Sequence, residues 1–219
     1  MSGDPSAYCV IAQKDEYFDR IKYMAKVKIL IKGYTREKNG EEFASSTTIL
    51  IQDNGLNIIV DPGMNRKALL GGLAKEGLET KNINFVVVTH THLDHSLLTG
   101  IFENAKILDN SDVYSFDGKI GGHEGKVPNT DIEIIKTPGH DQFHCSVLVK
   151  TEDLGKVVIA GDVFWWADGE EQETDKQGLL EHEDPYVKDE KALKESRKRI
   201  LNLADYIIPG HGEMFKVKR

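Results

Sequence analysis

A run of β-branched apolar residues that breaks off into a cluster of proton-carrying side chains constrains this chain more than any other feature. In NFVVVTHTHLDHS, residues 84–96, Phe85 to Thr89 read as a buried strand, and His90, His92, Asp94 and His95 follow at once. On an extended backbone, side chains at i and i+2 share a face, so His90 and His92 point at one place where the strand runs out. Asp94 and His95 turn toward a second. Imidazole nitrogens bind zinc at about 2.0–2.1 Å and carboxylates at about 2.0–2.2 Å, and a site that performs chemistry keeps one position open for water. So many ligands in so short a span suit two ions better than one. A lone histidine here would be read as a surface residue at a strand end, and a short motif can arise by chance, so the test is whether distant parts of the chain supply partners in similar settings.

They do. KTPGHD places His140 just beyond the strand IEII, VVIAGD places Asp162 at the end of another, and YIIPGH places His211 after a third. Each follows a β-branched run and sits beside glycine, which lets backbones crowd together and turn sharply. The loops that carry these residues are therefore expected to converge on one sheet edge.

Short apolar runs bounded by turn residues read as strands over 26–33, 46–52, 56–61, 83–90, 131–137, 145–150, 156–162 and 205–210. Residues 63–77 and 189–205 space their apolar side chains as helices do. Asn54-Gly55 between two apolar runs is a strong hairpin cue. Strands in consecutive blocks, interrupted by helices without regular alternation, argue for two mixed sheets packed together with helices outside them. Residues 167–190 are acidic and poor in apolar side chains, which predicts a solvated loop or lid.

Composition sets outer bounds. Hydrophobic residues make up 39% and charged residues 29%, with no apolar run near the roughly 20 residues that span a bilayer, so membrane insertion is not expected. The first residues lack the basic start and apolar centre of a secretory signal, and Cys9 and Cys145 are too few for a disulfide framework, which together point to the cytoplasm and to free thiols. A net charge of −8 disfavours nucleic acid as a partner and leaves only a local basic patch for it. Lys191, Lys194, Arg197, Lys198 and Arg199 could form such a patch on the last helix, although a solvated helix face is the plainer reading.

Taken together, HxHxDH, TPGH, AGD and PGHG, preceded by VDPG at residues 60–63, resemble the metallo-β-lactamase-fold hydrolase superfamily, over residues 26–219. GYTRE, AGDVF and SRKRILNLADYIIPGHGEMFKV are similar to the group around metallo-β-lactamase domain-containing protein 1, whose metal site resembles that of glyoxalase II. The resemblance implies an α/β, four-layer αββα sandwich, with residues 26–219 as the hydrolase domain and 1–25 as an N-terminal extension of unknown role. It implies two divalent ions, zinc first, with iron or manganese as alternatives. His90, His92 and His140 would hold one ion, Asp94, His95 and His211 the other, and Asp162 would bridge them. Asp94 would also orient the attacking hydroxide or carry its proton. Asp61 would either steer a ligand loop or cap the turn before Pro62.

The resemblance implies hydrolysis of a small ester, thioester, lactone or phosphoester, with a compact RNA-cutting nuclease or a non-catalytic metal-holding protein as the alternatives. Only seven residues follow PGHG, whereas glyoxalase II carries a C-terminal helical domain that helps bind glutathione, so the resemblance does not extend to that thioester substrate. Trp165 and Trp166 follow Asp162 closely enough for one of them to line the substrate space, although aromatic residues after a core strand more often fill the core. His144 reads as a supporting or surface histidine, and His123 as a solvated loop residue.

Overall fold

The computed structural model describes residues 24–218. The expected N-terminal extension therefore lies almost wholly outside the described residues, but Ala25 belongs to the buried core, so the packed unit starts no later than that residue.

After β1 (Lys26–Ile31), β2 (Tyr34–Lys38) and β3 (Glu41–Ser45) form a ribbon of their own. The first sheet runs, in spatial order, β1, β4 (Thr48–Asp53), β5 (Leu56–Val60), β6 (Phe85–Val87), β7 (Lys106–Leu108), β8 (Asp112–Tyr114) and β9 (Ile120–Gly122). The second runs β10 (Glu133–Lys136), β11 (Cys145–Thr151), β12 (Gly155–Trp165), β13 (Tyr206–His211) and β14 (Phe215–Lys216). Both are mixed: β5–β6, β6–β7 and β12–β13 pair in parallel, and their neighbours pair antiparallel.

Strand alternation sorts the apolar side chains into layers. Ile49, Ile51, Ile58, Val60 and Val87 of the first sheet meet Val147, Val149, Val157 and Ile159 of the second. The residues between them face outward: Leu50, Ile59 and Val86 pack on Leu69 and Leu73 of α1 (Arg66–Lys75). On the far side Leu148, Val158, Ala160 and Ile207 pack on Leu193 and Ile200. Those two side chains belong to α4 (Glu190–Leu203), which follows the short helices α2 (Leu93–Ser96) and α3 (Lys176–Glu181). Each such burial is worth about 1.5–3 kcal/mol, and a one-residue slip would reverse every strand's faces, so the register is strongly held. The result is the helix, sheet, sheet, helix order expected from the sequence.

Some expectations need correction. The β2–β3 ribbon is absent from the predicted strands, because its sides carry too little apolar content to read as buried. Its turn, Asn39-Gly40, nevertheless has both φ angles positive, at 57° and 77°, the same signature as the predicted Asn54-Gly55 turn. Residues 167–190 are not simply a solvated loop, since α3 lies within them and both Leu179 and Asp184 are buried. Arg197 is no part of a basic surface patch. It is buried, and its guanidinium donates to the carbonyls of Val163 and His182. Among the described residues no helix is long and apolar enough to cross a membrane.

Candidate metal centre

The apolar stretch of β6 gives out at Val87, and the chain turns through Val88 and Thr89 to His90. His92 is the N-cap of α2, and Asp94 and His95 lie in that helix. His140 follows β10 through Thr137-Pro138-Gly139, and His211 ends β13. Asp162 departs from expectation. It lies within β12 rather than at its end, at an irregularity where the pairing with β13 shifts register between Ile159 and Gly161 and again before Trp165. That irregularity turns the Asp162 side chain toward the other ligands.

The residues meet in two groups: His90, His92, His140 and Asp162, and Asp94, His95 and His211. In each group one potential ligand atom per residue lies within 4.8 Å of all the others. Asp162 stands between them. Its Oδ2 is 3.5 Å from His140 Nε2 and 3.8 Å from His90 Nε2, while its Oδ1 is 3.1 Å from His95 Nε2 and 3.9 Å from His211 Nε2. Asp94 Oδ2 lies 3.1 Å from His211 Nε2.

Outer hydrogen bonds decide which ring atom faces inward. Asp61 Oδ2 accepts from His95 Nδ1 at 2.8 Å, Asp184 Oδ2 from His140 Nδ1 at 2.7 Å, and the Tyr34 carbonyl from His211 Nδ1 at 3.1 Å. Each of these rings therefore turns its Nε2 inward, as a second shell of acceptors does for metal ligands. Asp61 also accepts from the Thr89 backbone N–H and hydroxyl, and it holds a left-handed φ of 50° to do so. Of the two roles expected for Asp61, these contacts match the steering of a ligand loop. His90 Nε2, His95 Nε2 and Asp162 Oδ1 are buried and make no hydrogen bond at all. Orphaned atoms of this kind are costly in a core, and their convergence fits a cation.

The electrostatics agree. Burial, and then the charge of His95, push the pKa of His90 well below its ordinary value, so it offers a neutral imidazole. Burial lowers His92 in the same sense, with help from His140. Burial opposes protonation of His95 as well, but the carboxylates of Asp162 and Asp61 outweigh it and raise that ring well above the usual histidine range. Burial would raise Asp162, yet His95 and His211 hold it well below the normal carboxylate range. Metal binding at such rings competes with protons, because a ligand nitrogen must be deprotonated.

Two residues support the ligands from behind, of which only His144 is among the sequence expectations, as a supporting or surface histidine. Asp184, buried behind His140, sits in the acidic stretch that reads as solvent-exposed. His144 is fully buried: its Nε2 accepts from the Asp162 backbone N–H at 3.1 Å, and its Nδ1 bonds Thr137 Oγ1 at 3.0 Å. Burial drives its pKa down to about 3, so it braces Asp162 as a neutral ring. His123 stays outside the centre, with both ring nitrogens engaged by the backbone of Asp109 and Gly125.

Above the ligands opens a cleft of about 630 Å³, floored by His92, Asp94, His140, Asp162 and His211. The β2–β3 ribbon overhangs it with Arg36 and Phe43, and Met64, Leu93, Trp165 and Tyr186 complete an apolar rim. Trp165 lines the cleft, whereas Trp166 is buried in the outer core against Phe215.

Comparison with known proteins places this geometry among relatives. Residues 42–108 match the family described as the metallo-beta-lactamase superfamily. The chain is 31% identical over 200 residues to metallo-beta-lactamase domain-containing protein 1 of Xenopus laevis, covering 87% of this chain and 81% of that one. Its human counterpart is 40% identical over 170 residues, and the match spans 74% of this chain but only 60% of the human protein. A probable metallo-hydrolase of Methanocaldococcus jannaschii is 31% identical over 214 residues, covering 92% and 98% of the two chains. A crystal structure of a metallo-beta-lactamase-like protein from Thermotoga maritima superposes with a TM-score of 0.68 at 21% identity, covering 89% of this chain and all of that one.

Proposed function

The chain belongs to the metallo-beta-lactamase superfamily of metal-dependent hydrolases, and we propose that it uses two divalent ions to hydrolyse a small ester, thioester, lactone or phosphoester. The observation that carries this reading is the single carboxylate of Asp162, which presents one oxygen to each of two ligand groups. In this reading His90, His92 and His140 hold one ion, Asp94, His95 and His211 hold the other, and Asp162 joins both. Histidine and carboxylate donors suit zinc first, with iron and manganese decided by supply. Ions so held supply a water acidic enough to lose a proton near neutral pH and an electrophile for the substrate oxygen.

The chain's own groups do the rest. Asp94 is partly exposed at the cleft floor. Burial would raise its pKa, but His211 and His95 outweigh that and keep it an anion. An anionic carboxylate there can take the proton released on attack and return it to the leaving group. The apolar rim shields the reacting bond from bulk water and strengthens charge interactions within the cleft.

Cleft size supports a small substrate, since about 300–1,000 Å³ is the span usual for small-molecule sites. Glu37, Glu42 and Asp168 outnumber Arg36 among the charged groups lining the cleft, which tells against a polyanion such as RNA. The cytoplasm is the proposed compartment, consistent with the free thiol of Cys145 in the core.

The test has two steps. Protein purified without added metal, then soaked in zinc, should carry close to two ions per chain by elemental analysis. The loaded protein should turn over at least one member of a panel of thioesters, lactones and phosphodiesters faster than it cuts RNA. A content of one ion or none after soaking overturns the dinuclear reading, and activity confined to RNA overturns the substrate class.

A further inference from the structure

The acidic stretch that reads as a lid is tied down where it passes the metal centre. Asp184 lies 44 residues beyond His140, and its Oδ2 is 2.7 Å from His140 Nδ1, with both side chains 1% exposed. Its other oxygen, Oδ1, accepts the backbone N–H of Tyr186 at 3.0 Å and so closes its own turn. On one side of that turn His182 Nε2 bonds the Trp165 carbonyl at 2.7 Å, and the His182 carbonyl accepts from Arg197 Nη1 at 2.6 Å. On the other side the backbone N–H groups of Lys188 and Asp189 both donate to the Gly139 carbonyl, at 2.8 and 2.9 Å.

Gly139 is the residue before His140, and its φ of 141° is open to glycine and strained for side-chain-bearing residues. A Cβ there would meet the Leu193 backbone of α4 at 2.3 Å. Ser196 of the same helix donates to the Pro138 carbonyl at 2.7 Å. The loop that delivers His140 is thus clamped from behind by residues 182–197, through its backbone at Pro138 and Gly139 and through its ring at Asp184.

We propose that Asp184 is a positioning residue for His140, and that residues 182–189 form a brace built onto one half of the metal centre and not a lid over the cleft. This rests on the reading of His90, His92, His140 and Asp162 as one ion's ligands. The buried Oδ2 of Asp184 fixes the His140 ring with Nε2 facing inward, the work that outer carboxylates do for metal histidines. The second group, Asp94, His95 and His211, has its own outer partners in Asp61 and the Tyr34 carbonyl, and none of them belongs to the brace. Loss of Asp184 should therefore fall on one ion.

The discriminating variant is Asp184→Asn. It retains an acceptor for the Tyr186 N–H, so the turn can persist, but it removes the anionic acceptor from His140. Zinc affinities of both positions are read by competition with a chromophoric chelator, and cobalt(II) absorption bands report the coordination at each. We expect one position to weaken by about 10–100-fold, the usual range for losing an outer partner, and the other to stay within about threefold. In a His140→Ala background the same change should add little, because coupled residues are not additive. Asp184→Glu should recover part of the loss. Equal weakening of both positions, unchanged affinities, or an undiminished effect in the His140→Ala background would each overturn the brace. Wild-type protein that takes up no ion would instead overturn the underlying reading and the brace with it.

Discussion

The backbone of Gly210 lies so close to the carboxylate of Asp162 that a Cβ built on it would sit 1.8 Å from Oδ1. Any side chain at 210 must therefore displace either β13 or the carboxylate. The strand is pinned, because the Gly210 carbonyl accepts both the backbone N–H of Thr47, at 2.7 Å, and its hydroxyl, at 2.9 Å. Gly210→Ala should thus move Asp162, leave the protein folded at a cost of about 1–3 kcal/mol, and bring zinc content below one ion per chain. A variant that still carries two ions would show that Asp162 is not needed between them.

Metal removal should cost stability as well as activity. An ion bound only by the folded state, at a free concentration about 1,000 times its dissociation constant, adds about 4 kcal/mol. For a chain of this size that is a shift of roughly 8–16 °C in midpoint. Calorimetry before and after chelation checks it, and coincident melting curves would mean that the clustered ligands bind no ion.

His144 predicts the acid limb of stability in the stripped protein. Its folded pKa of about 3 lies below the unfolded histidine value of 6.5, so the unfolded chain takes up a proton first as pH falls. Its stabilising contribution is complete above about pH 6.5 and is lost progressively down toward pH 3, at about 1.4 kcal/mol per pH unit. Urea unfolding from pH 6.5 to 4.5 should be less steep in pH for His144→Gln than for wild type. Parallel pH dependence would remove His144 from the account.

Cys145 lies fully buried between the sheets with its Sγ 3.6 Å from the Val88 carbonyl, and burial pushes its thiol well above the usual range. At pH 8 it should resist iodoacetamide in the native protein and react once the chain is unfolded, as read by peptide mass spectrometry. Cys145→Ser should leave zinc content unchanged. A missing ion in that variant would place sulfur among the ligands.

The αββα layering and the seven clustered side chains could be read from the sequence because each depends on local pattern. Alternation along Ile49 to Ile51 or Val147 to Val149 already says which side chains share a face. Residues that end an apolar run beside a turn announce themselves without knowledge of their neighbours. The β2–β3 ribbon stayed hidden because its polar strands bury little, and the irregularity that carries Asp162 inside β12 stayed hidden because a register shift is a property of two strands together.

By itself, then, the sequence determined the chemistry on offer: imidazoles and carboxylates at the ends of buried strands, with glycine beside them. Only the tertiary structure decided how they work as a unit. The packing of two sheets sets Asp162 between two groups of rings, lays Gly210 against it, and brings Asp184 behind His140 from a stretch whose composition reads as solvent-exposed. Those contacts join residues far apart in the chain, and the free energy that selects them comes from burying whole layers, which no short window of sequence contains.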